Sequence, residues 1–138
     1  SRVTSSFVEG ISNFSFNSLT FCGHPSMSTK YINPVLGRFE PDLDVALHDA
    51  DVIMTLRIQY ERFEETLNLD LEEYKQAYQL TSERLEQAKG DAIVMHPGPV
   101  NYIEISESVY QCDQSLIRTQ ISNGVAIRMA VLSRFLSS

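Results

Sequence analysis

Basic residues are scarce in this chain of 138 residues: Lys and Arg total 11 against 18 Asp and Glu, a formal charge of –7. No basic stripe exists to neutralise phosphates, so the composition argues against nucleic acid or an anionic membrane as partner. A small anionic substrate held by one or two arginines stays open. No apolar run approaches the ~18 residues that span a bilayer, and no basic segment followed by an apolar core marks a signal peptide. There are only two cysteines, Cys22 and Cys112, and they lack metal-ligand spacing. They read as free, buried thiols of a cytosolic protein rather than a disulfide. His24 and His48 have no partners at ligand spacing, so no metal site is expected. Gly-rich phosphate loops, nucleophile elbows and CxxC pairs are absent, as are internal repeats and low-complexity segments.

What is present fits one domain with its own core: 43% hydrophobic and 21% charged residues, near a globular average. Val3, Phe7, Val8, Ile11 and Phe14 share one helical face, so the chain is expected to open on a helix. Short apolar strands are expected at Leu19 to Cys22 and Asp51 to Leu56, with a weaker one around Arg38 to Glu40. A turn of helix is expected within residues 26–31, and a short helix over Leu43 to His48, capped by Asp42. The acidic run from Glu61 to Glu73 reads as a solvated loop passing into a helix over about residues 70–79. Thr81 or Ser82 caps the next helix, which turns Leu85 and Ala88 inward and stops at Gly90. Ser106 to Tyr110 is expected to be a short helix. A long one is expected over Leu116 to Leu136, packed back across the core and bent at Asn123-Gly124. Helices alternating with nearly all-apolar strands point to an α/β fold, a doubly wound, Rossmann-like parallel sheet. Such a domain ordinarily begins with a strand. The expectation is therefore a partial domain over residues 1–138, its first strand lying in a missing segment or another polypeptide.

The chemistry-bearing stretch is DAIVMHPGP, residues 91–99. A short buried strand, Ala92 to Met95, empties into His96, Pro97, Gly98 and Pro99. Ligands of open α/β sheets bind beyond the carboxyl ends of strands. Pro97 and Pro99 carry no N–H, which frees the carbonyls of this corner from a sheet ladder. The same residues also describe an ordinary tight turn. Arg57 and Gln59 follow the strand at Asp51 to Leu56 and share one side if the chain stays extended. A guanidinium forks onto a carboxylate or phosphate, although Arg57 also has Glu61 within reach as an ion-pair partner. Arg2, at the start of the first helix, offers a further anion contact or a solvated terminus. His96 is of the residue type that serves as acid or base near neutral pH. Between a strand and a proline it reads first as a structural hydrogen-bonder.

Taken together, SRV with Arg2, DADVIMTLRIQYER, MHPGP and QISNGVAIRMAVL occur in an order and spacing that resembles the C-terminal, aspartate-binding half of the aspartate carbamoyltransferase family. The likeness runs over almost the whole chain. The related ornithine enzymes carry an HCLP corner that is absent here. The resemblance implies transfer of a carbamoyl group from carbamoyl phosphate to L-aspartate in pyrimidine biosynthesis, without cofactor, metal or protein nucleophile. It implies that Arg2 and Arg57, assisted by Gln59, bind the aspartate carboxylates. It also implies that the Gly98 and Pro99 carbonyls bind the carbamoyl NH₂ of carbamoyl phosphate, and that the Gly98–Pro99 bond is cis. The carbamoyl-phosphate domain would be an N-terminal half outside this chain. The complete protein would be a cytoplasmic homotrimer, with regulatory or dihydroorotase subunits as partners the resemblance admits. Two local departures stand out. The loop before Leu19 is irregular, and the family's HPGPxNRGxEI is here HPGPVNYIEI, with Tyr102 in place of the arginine and one residue fewer. Those changes suit the alternative of a non-catalytic homologue or interaction domain. A free-standing small-anion binder would need a complete sheet.

Overall fold

The computed structural model describes residues 2–27, 36–58 and 70–137. Helix α1, Arg2–Ile11, half-buries Phe7, Val8 and Ile11 but leaves Val3 exposed, and Phe14 lies exposed beyond its end. Strand β1, Thr20–Cys22, pairs in parallel with β2, Arg38–Glu40, Phe21 facing Phe39 in register. The helical turn expected within residues 26–31 appears as a 3₁₀ turn at Pro25–Met27; residues 28–31 lie outside those described.

Helix α2, Leu43–Leu47, follows at once. Asp42 caps it as expected, its carboxylate accepting the N–H groups of Asp44 and Val45 at 2.9 and 3.3 Å. Strand β3, Val52–Met54, pairs in parallel with β4, Ile93–Met95. Between them lie α3, Leu71–Tyr78, and α4, Ser82–Leu85. The Thr81 hydroxyl caps α4 by accepting the Arg84 N–H. The acidic stretch expected as a solvated loop falls mostly on residues 59–69, outside the described residues. After β4 come α5, Glu107–Gln111, capped by Ser106, and α6, Ile117–Leu136.

The fold is therefore mixed α/β with parallel strands and a long C-terminal helix. Among the described residues the strands form two separate parallel pairs. The second pair is widened by an extended segment at residues 114–116: the Val94 N–H donates to Gln114 and the Leu116 N–H donates to Val94, both at 2.9 Å. Leu80, beyond α3, pairs with Ile105 rather than continuing the helix. The core gathers where these pieces meet, around Leu47, Leu80, Leu85, Val94, Ile105, Val109 and Ile117.

Three expectations are corrected. Helix α6 does not pack back across the core. Ile117 is its one buried residue, and from Ile121 onward the helix leaves the sheet, with Phe135 74% and Leu136 85% exposed. Its apolar residues Val125, Ile127, Val131 and Leu132 are spread round the helix, and no described element covers them. It runs on through Asn123-Gly124 as one α-helix. The cysteines are free but not buried: Cys22 is exposed and Cys112 half-buried.

Arg84 joins three elements. Its Nε pairs with Asp44 at 3.0 Å, and Nη1 and Nη2 donate to the Gln79 and Gln76 carbonyls at 2.9 and 2.7 Å. Replacing it, as in Arg84→Met, strands the carbonyls at the end of α3. A loss of about 1–3 kcal/mol is expected, read from the urea-unfolding midpoint. At Cys22, desolvation and then the carboxylates of Glu40 and Asp42 push the thiol up to about 11. The residue as a whole is exposed, which argues for less desolvation, but the two acids act in the same direction. Alkylation of Cys22 by iodoacetamide should therefore still be accelerating with pH at about pH 9.5, where an ordinary thiol has levelled off.

Candidate active site

Parallel pairing sends β3 and β4 out of the sheet side by side. Met54 lies opposite Met95, and the Thr55 N–H and hydroxyl donate to the Met95 carbonyl at 3.0 and 3.3 Å. The chain beyond β3, through Leu56 to Ile58, therefore stands next to His96 through Pro99. Asn101 ties the two exits together. Its amide nitrogen donates to the Ile58 carbonyl at 3.1 Å, while its amide oxygen accepts the Ile103 N–H at 3.2 Å.

Arg57 sits on the first of these exits. It is exposed and makes no hydrogen bond or ion pair among the described residues. An exposed guanidinium with its donors unspent among the described residues suits an incoming carboxylate. Gln59, expected to share its side, lies outside the described residues. Arg2 begins α1, on a different element.

The second exit is the corner itself. The Gly98–Pro99 peptide bond is cis, in agreement with the sequence expectation. Gly98 has φ of +73°, and a Cβ there would lie 3.2 Å from Cδ1 of Ile121 on α6. Backbone and space both call for glycine at this position. Among the described residues, none of the carbonyls from His96 to Pro99 accepts a hydrogen bond. The corner thus offers acceptors, as its two prolines led one to expect.

The sequence reading of His96 as a structural hydrogen-bonder holds, and two residues it missed, Glu104 and Gln120, help to keep this corner in place. His96 is fully buried, and its Nδ1 accepts the Gly98 N–H at 2.8 Å. Its Nε2 lies 2.8 Å from Oε1 of buried Glu104. Gln120, from α6, accepts the His96 backbone N–H at 2.8 Å. Glu104 was visible as a lone acid inside the apolar run Ile103 to Ile105. Asn101 carried the signature of an Asx turn only in hindsight, and Gln120 carried no signal at all.

The altered step beyond the corner closes in a particular way. Tyr102 takes φ of +58°, a left-handed conformation that is unfavourable for a residue with a Cβ. Its carbonyl accepts from Gln79 at 2.9 Å, and its ring meets Tyr110 edge-on at 5.8 Å. These contacts hold the shortened turn where the family pattern has an arginine. No group of three or more His, Cys, Asp or Glu residues placed to hold a metal occurs among the described residues. Nor is any helix there long and apolar enough to cross a membrane.

Comparison with known proteins bears on this geometry. The family model described as the aspartate/ornithine carbamoyltransferase Asp/Orn-binding domain matches residues 1–135. The aspartate carbamoyltransferase catalytic subunit of Coxiella burnetii is 41% identical over 138 residues, covering 99% of this chain and 44% of that protein. The corresponding subunit of Citrifermentans bemidjiense is 52% identical over 92 residues, covering 66% and 30%. The chain thus spans less than half the length of these curated relatives. Among solved structures, Trypanosoma cruzi aspartate transcarbamoylase in complex with carbamoyl phosphate superposes with a TM-score of 0.75 at 27% identity. The match covers 94% of this chain and 44% of that one. The same enzyme with N-(phosphonacetyl)-L-aspartic acid gives 0.77 at 25% identity, covering 94% and 44%. Pyrococcus furiosus ornithine carbamoyltransferase gives 0.58 at 25% identity over 71% of this chain and 31% of that one.

If Asn101 is the tie between the two exits, Asn101→Ala should cost about 1–2 kcal/mol of stability. It should also speed amide hydrogen exchange at Ile103, whose N–H loses its acceptor. Unchanged exchange at Ile103 would show that the turn is held by other contacts.

Proposed function

The chain belongs to the aspartate/ornithine carbamoyltransferase family, and on that premise we propose that it supplies the aspartate-binding half of an aspartate carbamoyltransferase. The observation that carries this reading is the pairing of the two strand exits. Arg57, which makes no hydrogen bond or ion pair among the described residues, follows β3 beside a corner whose carbonyls accept none there. A substrate bridging them has a carboxylate at one end and an N–H-bearing carbamoyl group at the other.

In this reading Arg57 holds an aspartate carboxylate by charge-assisted hydrogen bonds. Gln59 and Arg2 complete the grip, and the Gly98 and Pro99 carbonyls accept from the carbamoyl NH₂. The aspartate amine attacks the carbamoyl carbon, a C–N bond forms, and the amine gives up a proton to the departing phosphate. The C–O bond to phosphate then breaks, and phosphate leaves with the electron pair. The residues of this chain bind and orient, and catalysis comes from alignment and from stabilising the developing oxyanion.

The phosphate grip falls to a carbamoyl-phosphate domain beyond this chain. The exposed apolar residues of α1 and α6, Val3 and Val125 to Leu136 among them, are the surface against which that half packs. A cytoplasmic homotrimer built of both halves is the assembly we expect. One observation favours a second reading, a non-catalytic homologue. The left-handed Tyr102 closes the loop without the family's arginine and leaves one cation fewer beside the corner.

The two readings part on one experiment. The chain, assembled with its N-terminal half, is assayed for carbamoyl-aspartate and titrated calorimetrically with a bisubstrate analogue joining a phosphonate to aspartate. An active site should turn over, and Arg57→Ala should lower kcat/KM for aspartate by about 100-fold or more, the loss of one charge-assisted fork. Analogue binding that is absent, or indifferent to Arg57→Ala, would leave the non-catalytic reading standing.

A further inference from the structure

We infer that His96 is a positioning residue for the carbamoyl-binding corner, holding the Gly98 peptide through a fixed imidazole tautomer set by Glu104. The inference rests on the functional reading above for the identity of the ligand, and on geometry alone for the device. Because Nδ1 accepts the Gly98 N–H at 2.8 Å, that nitrogen presents its lone pair. The ring hydrogen therefore sits on Nε2 and is donated to Oε1 of Glu104 at 2.8 Å. An imidazole committed in this way on both nitrogens is not the acid or base of the reaction.

The ring lies across the loop it braces. Gly98 is two residues beyond His96 and Glu104 is eight beyond, so one side chain spans the turn from its entry to its exit. The frame around it is anchored independently. Gln120 takes the His96 backbone N–H, and the Glu104 carbonyl accepts the Leu80 N–H at 3.0 Å. Glu104 is 4% exposed, and its second oxygen, Oε2, is buried with no hydrogen-bond partner among the described residues. With its N–H held inward by His96, and Ile121 close to where a Cβ would stand, Gly98 has little freedom to turn its carbonyl away from the ligand.

The test uses the chain assembled with its carbamoyl-phosphate-binding half. Asparagine at position 96 can still accept the Gly98 N–H two residues on, as in an Asx turn, whereas phenylalanine fills the space without accepting. His96→Phe should lower kcat about 100-fold while KM for aspartate stays within a few-fold, the mark of a misaimed carbamoyl group. His96→Asn should recover most of that loss. Glu104→Gln, which still accepts from Nε2, should keep the tautomer and lose less kcat than Glu104→Leu, which should behave like His96→Phe. In selectively ¹⁵N-histidine-labelled protein, His96 should show a pyridine-like Nδ1 and a pyrrole-like Nε2. A folded His96→Phe protein with wild-type kcat, or the opposite tautomer, overturns the inference. Should His96→Phe fail to fold, the Glu104 pair and the ¹⁵N shifts decide alone. A wild-type assembly without turnover sinks the functional reading, and the tautomer together with Gly98 amide protection then decides whether the ring holds the turn.

Discussion

The constraint on which the rest depends is the parallel pairing of β3 with β4. Parallel strands leave a sheet in the same direction, so their exits are neighbours although nearly forty residues of chain separate them. Register fixes which residues meet: Met54 against Met95 puts the Arg57 loop beside the His96 corner. Asn101 then closes the gap with a side-chain hydrogen bond to Ile58. A slip of one residue in this pairing would turn the flanking side chains to the opposite faces and separate the two halves of the site.

Burial around this pair is uneven, and the unevenness has chemical consequences. Val94, Ile105, Val109 and Ile117 are sealed on all sides, which gives the corner a rigid floor. Within that floor lies a polar assembly, His96, Glu104 and Gln120, whose hydrogen bonds gain strength from the low local dielectric. Toward the far end of α6 the packing gives out, and apolar side chains face solvent. Packing against the core thus ends along α6, with Gln120 and Ile121 marking the last turn that touches the corner.

The loop beyond the corner shows how a local departure is absorbed. One residue fewer than the family pattern demands a tighter path, and Tyr102 supplies it with a left-handed backbone. The cost is offset by contacts made elsewhere: Gln79 on the Tyr102 carbonyl, and Tyr110 against its ring, with Arg118 lying 5.3 Å over the other aromatic. The turn is closed by these contacts rather than by the missing arginine, so the departure removes a positive charge near the site.

Much of this protein was legible in residue order. Periodicity and breakers located the short strands, the capped helices and the proline-flanked corner, because those depend on neighbours in sequence: a missing N–H, a side-chain cap, an alternation. Motif order was enough to mark Arg57, Gly98 and Pro99 as residues of interest. What the sequence could not decide was anything set by contacts between distant segments. Whether the apolar residues of α6 meet the core is a matter of what stands opposite them, and there the expectation of a packed helix failed. That His96 faces Glu104 rather than a substrate, and that Asn101 reaches Ile58, depends on a turn and a strand register that no local pattern encodes. The chain by itself determined which chemical groups are on hand at the strand ends. Only the tertiary structure decided which of them are spent on holding one another and which remain free for a ligand.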